Sequence, residues 1–337
     1  MTTTLTPPPV APAGAGLRFR LYRGIDEIPG MAAANARLRT SVGQLEPIDV
    51  AAMGHRYTHL VNSDPLTDCL VVERDGVTAG YARVEWHDLV DGDRIHDATI
   101  VVEPAARGLG IAAAMLDWCE RRLGDIAAAG RTDRTCWLST FVFKGDVELE
   151  TALASGGYAA VRWDAEMLRP DLRDLPEVAV ANGYEIRTPT EAELRAVFDM
   201  LVTAFAEHWG EAVAEEQQFE DWVEDPRFRR DLVVVAWAGG DRPAAAVLNL
   251  LETSRDGSLR GLLDGVATHP DHRRRGLARA CIAESLRRLR DEGATSAYLG
   301  VDTDNHNRAL ALYESCGFRV ASGSTTYRKP FDGKEAA

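Results

Sequence analysis

Residues 269–280 read HPDHRRRGLARA, and residues 103–114 read EPAARGLGIAAA. Each stretch has a proline, an arginine three places on, a glycine three after that, and an alanine two after the glycine. The two prolines, Pro104 and Pro270, lie 166 residues apart in a chain of 337. The device therefore recurs after about half the chain, and its surroundings recur with it.

Working outward from the first copy, LRFRLY (17–22) alternates like a strand, and CLVVERDGVTAGYARVEWHD (69–88) reads as two strands around the turn RDG. ATIVV (98–102) is a strand that runs directly into the motif. GIAAAMLDWCERRLGDI (110–126) has helical spacing, with Ile111, Met115, Trp118 and Leu123 along one side. A strand (135–143), a helix (147–158) and a strand (159–168) follow.

Residues 170–182, PDLRDLPEVAVAN, carry prolines and charges without a period and read as a linker. The plan then restarts with the strand YEIRT and an amphipathic helix over 191–209. A hairpin (231–252) turns at GGDRP, and the strand 261–270 enters the second motif. The helix 276–293, the strand SAYLGVD, the helix NRALALYESCGF and the strand STTYRKP complete it. The expectation is an α/β (α+β) chain of two similar domains, 17–169 and 183–332, with a disordered Pro/Ala-rich tail at 1–16 and a short tail at 333–337.

The charge balance narrows the partners. The formal net charge is −14 at pH 7, which argues against nucleic acid or an anionic membrane. Lys144, Lys329 and Lys334 are the only lysines, so the basic residues are nearly all arginine, as in a GC-rich bacterial genome. The five cysteines fit no zinc spacing and suggest no disulfide framework, so no metal and a reducing, cytoplasmic setting are expected. No apolar run approaches the length of a membrane span, and the first sixteen residues lack the basic start and apolar stretch of a signal peptide.

A strand that ends in a Gly-rich turn and opens a helix is a phosphate trap, because the first helical N–H groups are unpaired and carry the positive end of the dipole. Gly276 lets the backbone approach an anion, and Arg273, Arg274 and Arg275 add local positive charge. The competing reading is a tight connection with solvated arginines. Its occurrence twice, in the same context, favours the trap.

At this point the chain resembles the GNAT acyltransferase superfamily, in its tandem two-domain form. RRRGLA (273–278) and RGLGIA (107–112) fit that family's R/Q-x-x-G-x-G/A motif, and DNHNRALALYESCGF (304–318) fits its closing A-x-x-L-Y-E-x-x-G-F pattern. The resemblance implies, for each domain, a mixed sheet splayed into a V and flanked by helices, with acetyl-CoA in the V. It places the pyrophosphate on the turn formed by Arg273, Arg274, Arg275, Gly276, Leu277, Ala278 and Arg279. The pantetheine arm runs beside Val266, Ala267 and Thr268, with the Val266 N–H polarising the thioester carbonyl, and Asn305 belongs to the same site. Tyr313 faces the sulfur and protonates the departing thiolate; the alternative is a packing residue on an apolar helix face.

Many family members carry a glutamate eleven residues ahead of the motif's first arginine. That position is Leu262 here, which leaves the general base open. Asp264, acting through a water, and His208 in FAEHWG are the candidates, and Trp209 is a candidate wall of the acceptor pocket. Aligning Gly157-Tyr158 with Gly317-Phe318 sets Leu153 opposite Tyr313 and Gly145 opposite Asn305. The first half thus keeps the turn without the proton donor. Arg107, Gly108, Gly110 and Ala112 leave a second acetyl-CoA site open. The expected function is acetyl transfer to a small-molecule amine by the second domain, as a monomer or homodimer. The alternative is a non-catalytic acetyl-CoA sensor or partner-binding module.

Overall fold

The structure, a computed structural model, describes residues 6–11, 16–45, 47–175, 177–214, 216–304 and 309–331. The chain forms two compact units. The first begins with β1 (Leu17–Leu21), α1 (Ile28–Ser41), α2 (Val50–Thr58) and the single turn α3 (Pro65–Asp68). It continues through β2 (Cys69–Arg74), β3 (Val77–Asp88), β4 (Arg94–Val102), α4 (Ile111–Ala129), β5 (Cys136–Phe143) and α5 (Val147–Ser155), and β6 (Ala159–Arg169) follows. The second is built from β7 (Tyr184–Arg187), α6 (Leu194–Phe205), α7 (Glu216–Glu224), β8 (Val234–Ala238), β9 (Arg242–Thr253), β10 (Leu259–Thr268), α8 (Leu277–Asp291), β11 (Ser296–Asp302) and α9 (Ala309–Ser315), and β12 (Arg319–Pro330) ends the series. The order of elements repeats as the sequence implies. The acidic stretch EEQQFEDWVEDP, which shows no clear period in sequence, contains α7, whose Phe219 and Trp222 pack edge-on at 6.2 Å.

The units are not the two continuous segments expected. The first comprises residues up to 44, 48–163 and 324 onward; the second comprises 45–47 and 164–323. Each unit's sheet is closed by the strand that follows the other's last helix. Ser324–Pro330 of β12 run antiparallel to Phe143–Trp137 of β5, giving the order β1-β2-β3-β4-β5-β12. Asp164–Arg169 of β6 run antiparallel to Asp302–Ala297 of β11, giving β6-β11-β10-β9-β8-β7. The packing follows the same exchange. Tyr327 and Phe331 lie against the core of Leu138, Val142 and Trp118, whereas Ala165 and Met167 are buried among Leu263, Leu286 and Leu299.

The segment expected as a linker also belongs to the second unit. Leu172 is buried in its core, and Arg169 donates to the carbonyls of Cys316, Asp171 and Asp174. The expected free tail departs from expectation as well. Thr6 is buried, its hydroxyl donates to Asp125 at 2.5 Å, and its carbonyl accepts from the Trp118 indole at 3.4 Å. Among the described residues no helix is long and apolar enough to cross a membrane.

Candidate active site

Parallel strands β10 and β11 pair only at Arg260–Ser296, Gly261–Ala297 and Leu262–Tyr298. Beyond that point β10 pairs only with β9, and β11 only with β6. Two strand edges therefore face an opening, and their unpaired backbone groups can bind an extended ligand as a strand would. β10 carries a bulge between Leu263 and Gly265, so Asp264 is the extra residue and is exposed. The matching strand of the first unit, β4, pairs with β3 in an unbroken register.

The two repeated turns share one backbone course. Arg273 and Arg107 have φ/ψ of −63/160 and −64/153. Arg274 and Gly108 both lie in the left-handed region, at φ 61 and 76, as do Gly276 and Gly110 at 78 and 73. An arginine held there costs about 1–2 kcal/mol, a strain that concentrates at functional sites. It turns successive N–H groups toward one point. Gly276 is the N-cap of α8 and offers no side chain to the first-turn amides. Arg274 and Arg279 are exposed and form no ion pair with a described residue. Arg273 is braced differently: it pairs with Glu207 at 2.6 Å and donates to the carbonyl of Ala204 at 3.2 Å. This ties the turn to the end of α6. Arg275 donates to the Asp271 carbonyl at 3.2 Å. Leu277 is buried beneath the turn and Ala278 half-buried.

The first unit uses the same turn differently. The Gly108 N–H donates to the Glu148 carboxylate at 2.9 Å. Arg107 lies 3.7 Å from Asp146 and donates to the Ser41 hydroxyl at 3.3 Å. Ala112 is buried. An acidic side chain from α5 thus occupies the position where an anion would meet the amide.

Tyr313 lies on α9 with its ring buried and edge-on to Phe318 at 6.3 Å. Among the described residues nothing hydrogen-bonds its hydroxyl. Burial pushes its pKa to about 12, with Cys316 adding to the shift. Leu153, its counterpart, is wholly buried hydrocarbon. Asn305 lies outside the described residues. Cys316 is buried, and burial raises its thiol pKa, so it stays protonated.

Leu262 is buried and cannot titrate. Several carboxylates that the sequence reading passed over lie near the opening. Glu252 accepts from the Tyr298 hydroxyl at 2.5 Å and pairs with Arg227 at 3.0 Å. Arg227 also holds Asp225 at 2.9 Å, and Asp264 is near enough to help raise its pKa. These partners hold Glu252 in place beside Tyr298, where the strands part. His208, in the turn after α6, has Nε2 3.8 Å from Oδ2 of Asp302 at the end of β11. Trp209 follows it, half-buried. Burial raises the pKa of Glu211, against the pull of His208. Asp302 carries one signal legible in sequence: it is a carboxylate ending an otherwise apolar strand. The cavity of 590 Å³ lined by Arg169, Arg287, Arg290 and Glu314 lies at the far end of α8 and belongs to none of this.

The sequence profile of the Acetyltransferase (GNAT) family matches residues 37–140 and 194–318. The chain belongs to the GNAT acetyltransferase family. A mycothiol acetyltransferase of Thermomonospora curvata is 32% identical over 274 residues, covering 76% of this chain and 80% of that one. Among solved structures, a GCN5-related N-acetyltransferase from Sphaerobacter thermophilus superposes with a TM-score of 0.73 at 19% identity, covering 95% of this chain and 97% of that one. A tandem GNAT protein from the clavulanic acid biosynthesis pathway superposes with a TM-score of 0.67 at 16% identity, covering 95% and 100%. The tandem GNAT fold expected from the repeat is the fold observed. The family uses acetyl-CoA as acyl donor, and the repeated turn now has a ligand to be tested against. Because Glu148 already occupies the first turn, calorimetric titration with acetyl-CoA is expected to give one equivalent per chain. Two equivalents of similar affinity would contradict that occupancy.

Proposed function

We propose that this GNAT protein transfers an acetyl group from acetyl-CoA directly to the primary amine of a small molecule, in its second unit. One observation carries the choice of unit. Only there does an uncapped, left-handed arginine turn stand beside an opened strand pair and a buried tyrosine.

The chain's groups divide the work. The amides following Arg274 and the exposed Arg274 and Arg279 hold the pyrophosphate. The edge of Val266–Thr268 aligns the pantetheine arm, and the Val266 N–H stabilises the negative oxygen that develops at the thioester carbonyl. Tyr313 donates to the departing sulfur. A phenol with pKa about 12 keeps its proton across the working range. It therefore acts by a hydrogen bond that strengthens as charge builds on sulfur, since full transfer to a thiolate is uphill.

The relatives named mycothiol acetyltransferases support a cysteinyl amino sugar as the first acceptor to try. The resemblance in tandem layout points to the amine of a cysteinyl pseudodisaccharide. The carboxylates around the opening, Asp264, Glu211 and Asp302, suit a cationic amine. The test is CoA release from acetyl-CoA, followed by chromatography, with cysteinyl-glucosamine, glucosamine and spermidine. Amine-dependent release is the expected outcome. Acetyl-CoA binding with no release to any of these amines would sink this acceptor class.

A further inference from the structure

We propose that His208, oriented by Asp302, is the general base that deprotonates the acceptor amine, in place of the carboxylate missing at Leu262. The assignment rests on the acetyltransferase reading of the second unit.

The placement comes from two adjacent residues that reach opposite sides of the same opening. Glu207 holds Arg273, in the turn that follows β10, at 2.6 Å. His208 faces Asp302, the last residue of β11, at 3.8 Å. The turn after α6 thus spans the mouth of the V above Leu262 and Tyr298, where the strands part. Val266 and Asp302 each lie four residues beyond the last paired position of their strands.

Asp302 is fixed. Its side chain is 3% exposed, and its Oδ1 accepts the Asp304 N–H at 2.9 Å while Oδ2 is turned to the imidazole. His208 is 34% exposed, stands edge-on to Phe205 at 6.1 Å, and makes no hydrogen bond from Nδ1 to a described residue. The other charged groups around it are Glu211 in its own turn and the Glu207–Arg273 pair. An imidazole with Nε2–H toward a buried carboxylate presents Nδ1 as a base. At 3.8 Å the two groups are longer than hydrogen-bonded, as catalytic contacts often are before the substrates bind, and they become an ion pair once the imidazole takes the proton.

The step balances without a further reactant. Nδ1 takes a proton from the ammonium, and the freed lone pair forms the bond to the carbonyl carbon. The C–S bond breaks with its electrons to sulfur. Sulfur leaves as a thiolate held by the Tyr313 hydrogen bond, and it takes up the proton that the newly acylated nitrogen gives up. His208 then releases its proton to solvent through its exposed side.

The test compares wild type, His208→Ala and Asp302→Asn, with acetyl-CoA and the fastest amine among cysteinyl-glucosamine, glucosamine and spermidine. His208→Ala is expected to lower kcat by about 100-fold, with KM for acetyl-CoA unchanged and the rate partly restored by added imidazole. Asp302→Asn, a positioning change, is expected to cost about 10-fold in kcat without imidazole rescue. Wild-type kcat in His208→Ala overturns the base assignment and leaves acetyl transfer standing. So does a loss that imidazole does not restore and that comes with a lowered melting temperature. If wild type binds acetyl-CoA and acetylates none of the three amines, the underlying reading fails, and this one with it.

Discussion

Residues 183–332 expressed alone are expected not to fold, although they contain every motif of the second repeat. The segment omits Asp164–Arg169, which pair with β11 from Ala297 to Asp302. It also omits Met167 and Leu172, both buried in the second unit's core. Losing two large buried side chains costs about 3–6 kcal/mol, and the hydrogen bonds of Arg169 add about 1 kcal/mol each. That total reaches the whole stability of an ordinary domain, about 5–15 kcal/mol. It also leaves β11 as a raw apolar edge, a template for aggregation. Extending the segment to 164–323 restores all of the unit except residues 45–47 and is expected to give a soluble protein with a cooperative thermal transition. In the full chain, ending at residue 323 is expected to damage the first unit instead, because β5 loses its partner β12. Amide hydrogen exchange decides between the two: loss of protection at β11 rather than β5 in that truncation would refute the strand exchange.

Tyr313→Phe is expected to lower kcat by about 100-fold while leaving KM for acetyl-CoA and the melting temperature nearly unchanged. The ring fills the same space against Phe318, and the removed hydroxyl has no described partner to orphan. A fall in melting temperature with little change in kcat would make Tyr313 a packing residue. The direction of its pKa shift adds a second check. Burial raises the phenol to about 12, so the proton-bearing form persists as pH rises. The wild-type kcat should therefore show no alkaline decline below about pH 10 from this group.

Much of the fold was legible because its signals are local. The Pro-x-x-Arg-x-x-Gly-x-Ala device at 104–112 and 270–278 marked where a strand gives way to a helix, and its repetition gave the order of elements on both sides. The pairing of β6 and β12 was not legible. Both follow a helix and a Gly-Gly or Cys-Gly turn, both alternate, and nothing in their spacing distinguishes β5 from β11 as a partner. That choice is made by tertiary packing, by Met167 in one core and Tyr327 in the other. The candidate site divides in the same way. Arg274, Gly276 and Tyr313 could be placed from motifs. The bulge at Asp264 could not, because it depends on the register against β9. Neither could contacts such as Glu148 to Gly108 or Asp302 to His208, which join residues 40 and 94 positions apart in the chain. α7 was missed because its apolar residues, Phe219, Trp222 and Val223, are too few to set a period among acidic neighbours.

The exchanged strands also bear on how the molecule is made. A ribosome delivers residues 164–323 before it delivers 324–331, so the second unit has its full set of strands while the first still lacks one. Domains of a nascent chain usually complete in order from the N-terminus. Here the order is reversed: the earlier half waits, with β5 open, for the last strand to emerge. Translation past residue 323 therefore completes the half that was begun first.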